Sequence, residues 1–458
     1  MYCGFCYFAE KFCRLPFRSC GWRPSHIVML EIQKIRQTPQ AVVDGLKKKQ
    51  VHDAEAKVQR LQELDEQRRK SLTELEALRS ESKQAAKSIG HLMKNGQQAE
   101  AEAAKLRTSE LKEQIKTLEA TVQQVEADAH ELLTQLPNLP HPSVPSGKGE
   151  DDNEVVYHKG DIPNFDFSPL PHWELARTHD LIDWELGVKV TGAGFPVYKG
   201  YGARLQRALI TFFLDQAHAA GYLEIMPPLM VNEASGFGTG QLPDKDGQMY
   251  AIERDGFFLI PTAEVPITNL YRDVIMEAGQ LPVKNCGYTP CFRREAGSYG
   301  KDVKGLNRLH QFDKVELVQI TLPEHSYDTL EEMTRYVEGL LTQLALPFRR
   351  LTLCDGDLSF TAAKTYDLEV YSAAQERWLE VSSVSNFETY QTNRLKLRYR
   401  DENRKTQLLH SLNGSALALP RIVAALLENH QQADGSIVVP PVLHPYTGFA
   451  RIGGEPAA

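Results

Sequence analysis

From residue 55 to 136 apolar residues recur alternately every three and four positions, and no proline interrupts them. One series runs Leu61, Leu64, Arg68, Ser71, Leu75, Leu78, Ser82, Ala85, Ile89 and Leu92. A second runs Ala104, Thr108, Leu111, Ile115, Leu118, Val122, Val125, Ala129, Leu132 and Leu136. That spacing is the seam of a coiled coil, and the residues between are strong helix formers. The seam breaks at Lys94-Asn95-Gly96, so the pattern predicts an antiparallel helical hairpin. At about 1.5 Å per residue, each limb of roughly 38 residues extends more than 50 Å. Periodicity alone does not separate such an arm from a partner-binding coiled coil of a scaffold protein.

Residues 137–149 hold four prolines and two glycines and cannot continue a helix, because proline lacks the donor and clashes with the preceding turn. They mark a linker. Beyond it, helical stretches at about 172–187, 202–220, 262–278, 324–345 and 420–430 alternate irregularly with strands. The strand candidates are 257–260, 284–293, 309–320, 367–372, 377–382 and 408–413. Paired strands without intervening helices predict an α+β body, an antiparallel sheet with helices around it. The expected division is 1–28 as an N-terminal extension, 29–136 as helical arm, 137–149 as linker and 150–458 as body.

The chain has 458 residues, 42% hydrophobic and 24% charged, with a net charge of −8. That length calls for more than one core. No apolar run approaches the roughly 20 residues of a membrane helix. The acidic balance argues against indiscriminate nucleic-acid binding but permits a local basic patch. Between residues 79 and 107, Arg79, Lys83, Lys87, Lys94, Lys105 and Arg107 outnumber Glu81, Glu100 and Glu102. Between 108 and 136 the balance reverses. A basic tip on an acidic root is suited to an RNA backbone, although a charge run is as often a solvated face.

Four of the seven cysteines, Cys3, Cys6, Cys13 and Cys20, crowd the first 28 residues. The first pair has zinc-like spacing and the second does not. A dispensable extension explains this aromatic, basic segment more simply than a zinc site or a targeting peptide. Free thiols in the body and no secretory signal point to a reducing cytoplasm. Gly147-Lys148-Gly149 lacks the spacing of a phosphate loop, and Gly192-Ala-Gly194 lacks the context of a dinucleotide fingerprint.

The densest chemistry lies at residues 290–316: Pro290-Cys-Phe-Arg293-Arg294-Glu295-Ala-Gly-Ser298, a basic loop, then Arg308-Leu-His-Gln-Phe312-Asp-Lys-Val-Glu316. Alternate side chains of a strand share a face, so Arg293 and Glu295 point together, as do Phe312 and Glu316. A cation, two carboxylates and an aromatic plate on two joined strands can hold a bent nucleoside triphosphate. This stretch resembles motif 2 of the class II aminoacyl-tRNA synthetases, and its wording is similar to the seryl-tRNA synthetase family. Gly221-Tyr222-Leu-Glu-Ile225-Met-Pro227-Pro228 resembles motif 1, and Asn413-Gly-Ser415-Ala-Leu-Ala-Leu-Pro420-Arg421 resembles motif 3, with Ala416 where the class often has glycine. Met29-Leu-Glu-Ile-Gln resembles the usual start of the family.

The resemblance implies a class II catalytic domain that attaches L-serine to tRNA(Ser), and also to tRNA(Sec), through a seryl-adenylate. It assigns the catalytic work to Arg293, Glu295 and Arg421. Serine falls to Thr262, Ala263, Glu264, Arg293, Glu316, Asn413 and Ser415. ATP falls to Arg293, Arg294, Glu295, Arg308, Phe312, Glu380, Val381, Ser382, Ser383 and Arg421, with magnesium on Glu380 and Ser383. Zinc is not implied, since the body's three cysteines show no ligand spacing. The family is a homodimer through motif 1, with the arm reaching tRNA on the other subunit. Strict alternation puts Glu380 and Ser383 on opposite faces, so this assignment requires a bulge. A relative that loads a carrier protein is the enzymatic rival, and it would be expected to lack the arm.

Overall fold

The computed structural model describes residues 30–245, 247–295 and 304–454. The cysteine-rich segment and Ala296 to Ser298 lie outside the described residues. Two helices, Ala54–Lys94 and Gln98–Thr134, form the antiparallel hairpin. Gly96 turns the chain with φ +74°. Its N–H reaches Met93 O at 3.3 Å, and Gln97 N–H reaches Leu92 O at 3.0 Å. This is a Schellman ending, for which glycine has the necessary left-handed freedom.

Every position of both seams is buried or half-buried. Arg68 occupies a seam position because Glu126 on the facing limb receives it at 2.8 Å. Burial thins outward, since at the tip each limb has only the other to cover it. The charge of the outer half is partly neutralised. Arg79 pairs with Glu119, Arg107 with Glu81, and Lys105 with Glu102. Lys83, Lys87 and Lys94 make no ion pair among the described residues.

The root of the arm is continuous with the body. Val58, Leu61, Leu133 and Leu136 pack with Ile35, Val42, Val43 and Leu46 of two short helices, and with Tyr390 of the body. The Tyr390 hydroxyl donates to Leu136 O at 2.7 Å. The linker is tied down as well. Asn138 Nδ2 donates to Thr361 O and Phe387 O at 2.9 and 2.8 Å.

The body is built on an eight-stranded sheet. In spatial order the strands are Glu154–Lys159, Phe348–Thr352, Lys364–Ser372, Arg377–Asn386, His410–Ala418, Gln311–Thr321, Val283–Phe292 and Leu223–Glu224. Neighbours are antiparallel except the last pair. Helices Gly200–Ala219, Ser326–Gln343 and Leu419–Asn429 cover one face, meeting Val315, Leu317, Leu368, Val370, Val384 and Leu412. The opposite face carries the polar members of the same strands. No helix among the described residues is long and apolar enough to cross a membrane.

Three expectations for the elements need correction. The helix foreseen at 172–187 divides into His172–Thr178 and Trp184–Val190 around a two-residue strand, Ile182–Asp183. That foreseen at 262–278 stops at Asn269, because Asp273 turns with φ 61° and Ile275–Glu277 then joins a small sheet. Strands Glu154–Lys159 and Phe348–Thr352 were not foreseen. All six residues of the first are exposed at the sheet edge, so no alternation betrays it.

The thinning core sets a gradient of stability along the arm. Leu61→Ala, at a fully buried root position, should cost about 2–5 kcal/mol. Ile89→Ala, half-buried near the tip, should cost less than half as much. Urea unfolding followed by circular dichroism measures both, and equal losses would contradict a core shared with the body.

Candidate active site

The polar face of the sheet opens into a cavity of about 670 Å³. Thr262, Glu264, Arg293, Glu295, Arg308, Phe312, Glu316, Glu380, Val381, Ser382, Ser383, Asn413, Ser415 and Arg421 all line it. Strand parity explains most of this. Gln311–Thr321 pairs with Val283–Phe292 without a break, so Phe312, Lys314 and Glu316 face the cavity while Val315 and Leu317 face the core. Arg293 N–H extends the ladder to His310 O at 2.9 Å. The strand expected to carry Arg293 and Glu295 ends at Phe292, and Glu295 turns with φ 47°. Arg294 is exposed to solvent and Ala263 is fully buried; neither lines the cavity.

His310 rests on the glycine segment Gly192-Ala-Gly194. Its N–H donates to Gly194 O at 2.9 Å. A Cβ on Gly194 would stand 2.4 Å from the His310 ring, and φ there is +82°. Gly194 therefore lets the return strand approach closely.

Two irregularities aim the remaining side chains. Opposite Lys364–Ser372 the register jumps: Leu368 pairs with Ser382 and Glu369 with Glu380, leaving Val381 as the extra residue of a bulge. Glu380 and Ser383 consequently both reach the cavity, as their shared assignment required. A second shift separates the pairs Lys314 with Ala418 and Glu316 with Ser415. Leu417 sits in this shift with φ 93°, a conformation that costs of order 1–3 kcal/mol in a bulky residue. The chain then turns directly into helix Leu419–Asn429, whose first turn carries Arg421.

One end of the cavity is rich in cations. Arg421 donates from Nε to Asn307 O at 3.2 Å and stands 3.5 Å from the Glu380 carboxylate. Arg308 pairs with Glu295 at 3.1 Å. Arg293 is central: its guanidinium lies 5.2 Å from the Phe312 ring centroid, and its Nε donates to Pro261 O at 3.3 Å. Across the ladder from Ser383 stands Asp367. Burial first, and the charge of Glu380 second, hold its carboxyl well above the usual carboxylate range. Asp367 Oδ1 is buried without a hydrogen-bond partner. At the cavity itself Glu380 and Ser383 present a carboxylate and a hydroxyl, oxygen donors of the kind a hard dication takes; no cluster of three or more His, Cys, Asp or Glu side chains among the described residues completes a metal site.

The other end is acidic and largely buried. Glu316 is fully buried between Lys314, at 2.6 Å, and Asn413, at 2.8 Å. Thr262 Oγ1 accepts from Glu264 N–H at 3.2 Å, just ahead of the helix Glu264–Asn269. The Glu264 carboxyl is pushed up to about 7, mainly by burial and next by the charge of Glu316. Gln391, Lys314 and Arg293 act in the opposite direction. Lys314, Gln391 and Asn307 were missed in the sequence. Parity with Phe312 and Glu316 would have found Lys314; nothing local marks the others.

Known proteins resemble this chain along most of its length. Residues 29–140 match the seryl-tRNA synthetase N-terminal domain, and residues 250–430 match the tRNA synthetase class II core domain (G, H, P, S and T). The serine–tRNA ligase of Salinibacter ruber is 56% identical over 428 residues, covering 93% of this chain and all of that protein. The crystal structure of the Pyrococcus horikoshii seryl-tRNA synthetase, complexed with ATP, superposes with a TM-score of 0.87 at 34% identity, covering 93% of this chain and 99% of that one. The cytoplasmic serine–tRNA ligase of Naegleria fowleri, with AMP, gives 0.82 at 28% identity over the same shares. With both family domains present in order, and a relative this similar along its whole length, the chain belongs to the seryl-tRNA synthetase family of class II aminoacyl-tRNA synthetases.

Proposed function

We propose that this cavity joins serine to ATP in its acidic and cationic halves, and that the helical arm brings tRNA to the product. The observation that carries the reading is Arg293, which lines one cavity with Glu264 and holds its guanidinium 5.2 Å from the Phe312 ring centroid. Serine's ammonium belongs with Glu264 and Glu316, and its hydroxyl with the remaining polar groups of that end, Thr262, Asn413 and Ser415. Adenine belongs against Phe312, with Glu295 receiving its amino group. Arg308 and Arg421 neutralise the outer phosphates.

The serine carboxylate then attacks the α-phosphorus in line, forming seryl-adenylate as pyrophosphate leaves. Arg293 stabilises the charge that develops on the α-phosphate and aligns the attacking oxygen. The ribose 3′-hydroxyl at the tRNA end next attacks the acyl carbon and releases AMP. No protein nucleophile is needed; positioning and charge stabilisation carry both steps. We assign the oxygen donors Glu380 and Ser383 to magnesium, which would offset phosphate charge when bound.

The chain's exposed apolar surface around Leu223, Met226 and Met230 supports a homodimer through the motif 1 region, with the arm serving tRNA on the other subunit. We extend the tRNA substrates to tRNA(Ser) and tRNA(Sec), and the compartment to the cytoplasm. The carrier-protein alternative loses its ground because the arm is present and matches its own family domain.

Three outcomes test these roles. Arg293→Ala should lower serine-dependent pyrophosphate exchange by about 10²–10³-fold; a loss within a few-fold would remove Arg293 from the chemical step. Serine binding should strengthen as pH rises from 6 to 8. Glu264, pushed up to about 7, is neutral below that value and an anion above it, and only the anion attracts an ammonium. The slope of log(kcat/KM) for serine measures this, and Glu264→Gln should flatten it while raising KM. Excision of residues 80–112 with a short glycine turn keeps the root core. It should leave pyrophosphate exchange intact and abolish charging of tRNA(Ser) and tRNA(Sec). Parallel loss of both activities would contradict the division between arm and body.

A further inference from the structure

Behind the acidic end of the cavity lies a buried amide that does not line it. Gln391 is 1% exposed, on the short helix Thr389–Arg394. Its Nε2 donates to Glu264 Oε1 at 2.6 Å and to Thr239 O at 3.2 Å. Its Oε1 accepts from the Ser411 hydroxyl at 2.8 Å. Both amide hydrogens are thus in use, and the amide has one orientation only. A flip would turn its oxygen toward an ionised carboxylate and a carbonyl, neither of which has a hydrogen to donate.

Three walls meet at this side chain. Glu264 opens the helix after Pro261; Thr239 ends the helix before Gly240, which lines the cavity. Ser411 shares a strand, and by parity a face, with Asn413 and Ser415. We propose that Gln391, oriented by Ser411, is the positioning residue of the serine pocket, pinning one oxygen of Glu264 so that the other is presented to the amino acid. This rests on Glu264 receiving serine, as set out above.

The chemistry supports a functional role over a packing one. A buried carboxylate needs donors to persist as an anion. The groups facing Glu264 are Glu316, which repels its charge, and Lys314, Arg293 and Gln391, which favour it. Lys314 is already committed to Glu316 at 2.6 Å, and Arg293 is committed to Pro261 O and the Phe312 ring. Gln391 is the donor bonded directly to the Glu264 carboxylate. Without it, the anion that attracts an ammonium forms only at higher pH, and its carboxylate is free to rotate.

The test is pyrophosphate exchange on the full-length enzyme, comparing Gln391→Met, Ser411→Ala and Glu264→Gln between pH 6 and 9. Gln391→Met should raise the serine KM about tenfold at pH 7 and leave the ATP KM unchanged. It should also move the midpoint of the serine kcat/KM profile upward. Ser411→Ala should shift both quantities in the same direction by less, and it provides the answer if Gln391→Met does not fold. Equal rises in both KM values with an unmoved midpoint would reduce Gln391 to a packing residue and overturn the proposal. If Glu264→Gln leaves the serine KM unchanged, the assignment of serine to Glu264 falls, and the positioning role falls with it. If Glu264→Gln raises that KM while neither other variant does, only the positioning role is lost.

Discussion

A strand has two faces, and Gln311–Thr321 must satisfy opposite demands on them. On one face Val315 and Leu317 lie under the helices. On the other, a lysine and a glutamate are buried one residue away from that core. An isolated ion there would cost several kcal/mol, so Lys314 and Glu316 are stable only as a pair, with Asn413 from the next strand completing the set. That need fixes the partner strand and its register. It also fixes which residues the partner strand can offer the cavity, and so the location of Ser415 and Arg421.

Departures from regular backbone gather around the same place. The Val381 bulge, the shift at Leu417 and the positive φ of Glu295 each sacrifice regular pairing or strain the chain. A large apolar core beneath the sheet holds them. In return, Glu380, Ser383, Arg421 and Arg308 converge on one cavity. The guanidinium groups rest on carbonyl oxygens and carboxylates, so phosphate binding as proposed would exchange one set of partners for another. Little side-chain freedom is left to lose.

How much of this could be read along the chain depends on the range of the interaction. The helical hairpin was legible because each seam residue is tested against neighbours three or four positions away; the two short helices at its root, Ile32–Gln37 and Pro39–Lys48, were not. The strand Gln311–Thr321 was legible because alternation is equally local, and it grouped Phe312 with Glu316. Arg293 and Glu295 also share the cavity, but not by alternation, because their strand ends at Phe292 and Glu295 turns with φ 47°. Arg294 shows the limit of reading by motif: membership of the motif 2 string did not bring it to the cavity. The sequence could demand a bulge between Glu380 and Ser383 but could not produce one, since the bulge at Val381 exists only in the pairing with Lys364–Ser372. Gln391 was illegible. Its meaning comes from Glu264 and Ser411, which lie 127 and 20 residues away.

If serine takes the place proposed for it, the same distribution of polar groups limits which amino acids the pocket can distinguish. Thr262, Glu264, Glu316, Asn413 and Ser415 are all polar and, except for Asn413, buried. An alanine in their midst leaves groups that need a hydroxyl unpaired, and such sites reject the analogue by orders of magnitude. Threonine satisfies every one of those bonds and adds only a methyl, for which an apolar wall discriminates by roughly 1–3 kcal/mol before any clash. Rejection of threonine must therefore come from rigidity. A methyl is excluded only if the surrounding side chains do not yield, and here Lys314 locks Glu316 while Gln391 locks Glu264. On this view the hydrogen bonds behind the pocket contribute to specificity as much as those within it, because they turn a polar site that would adapt to threonine into one that cannot.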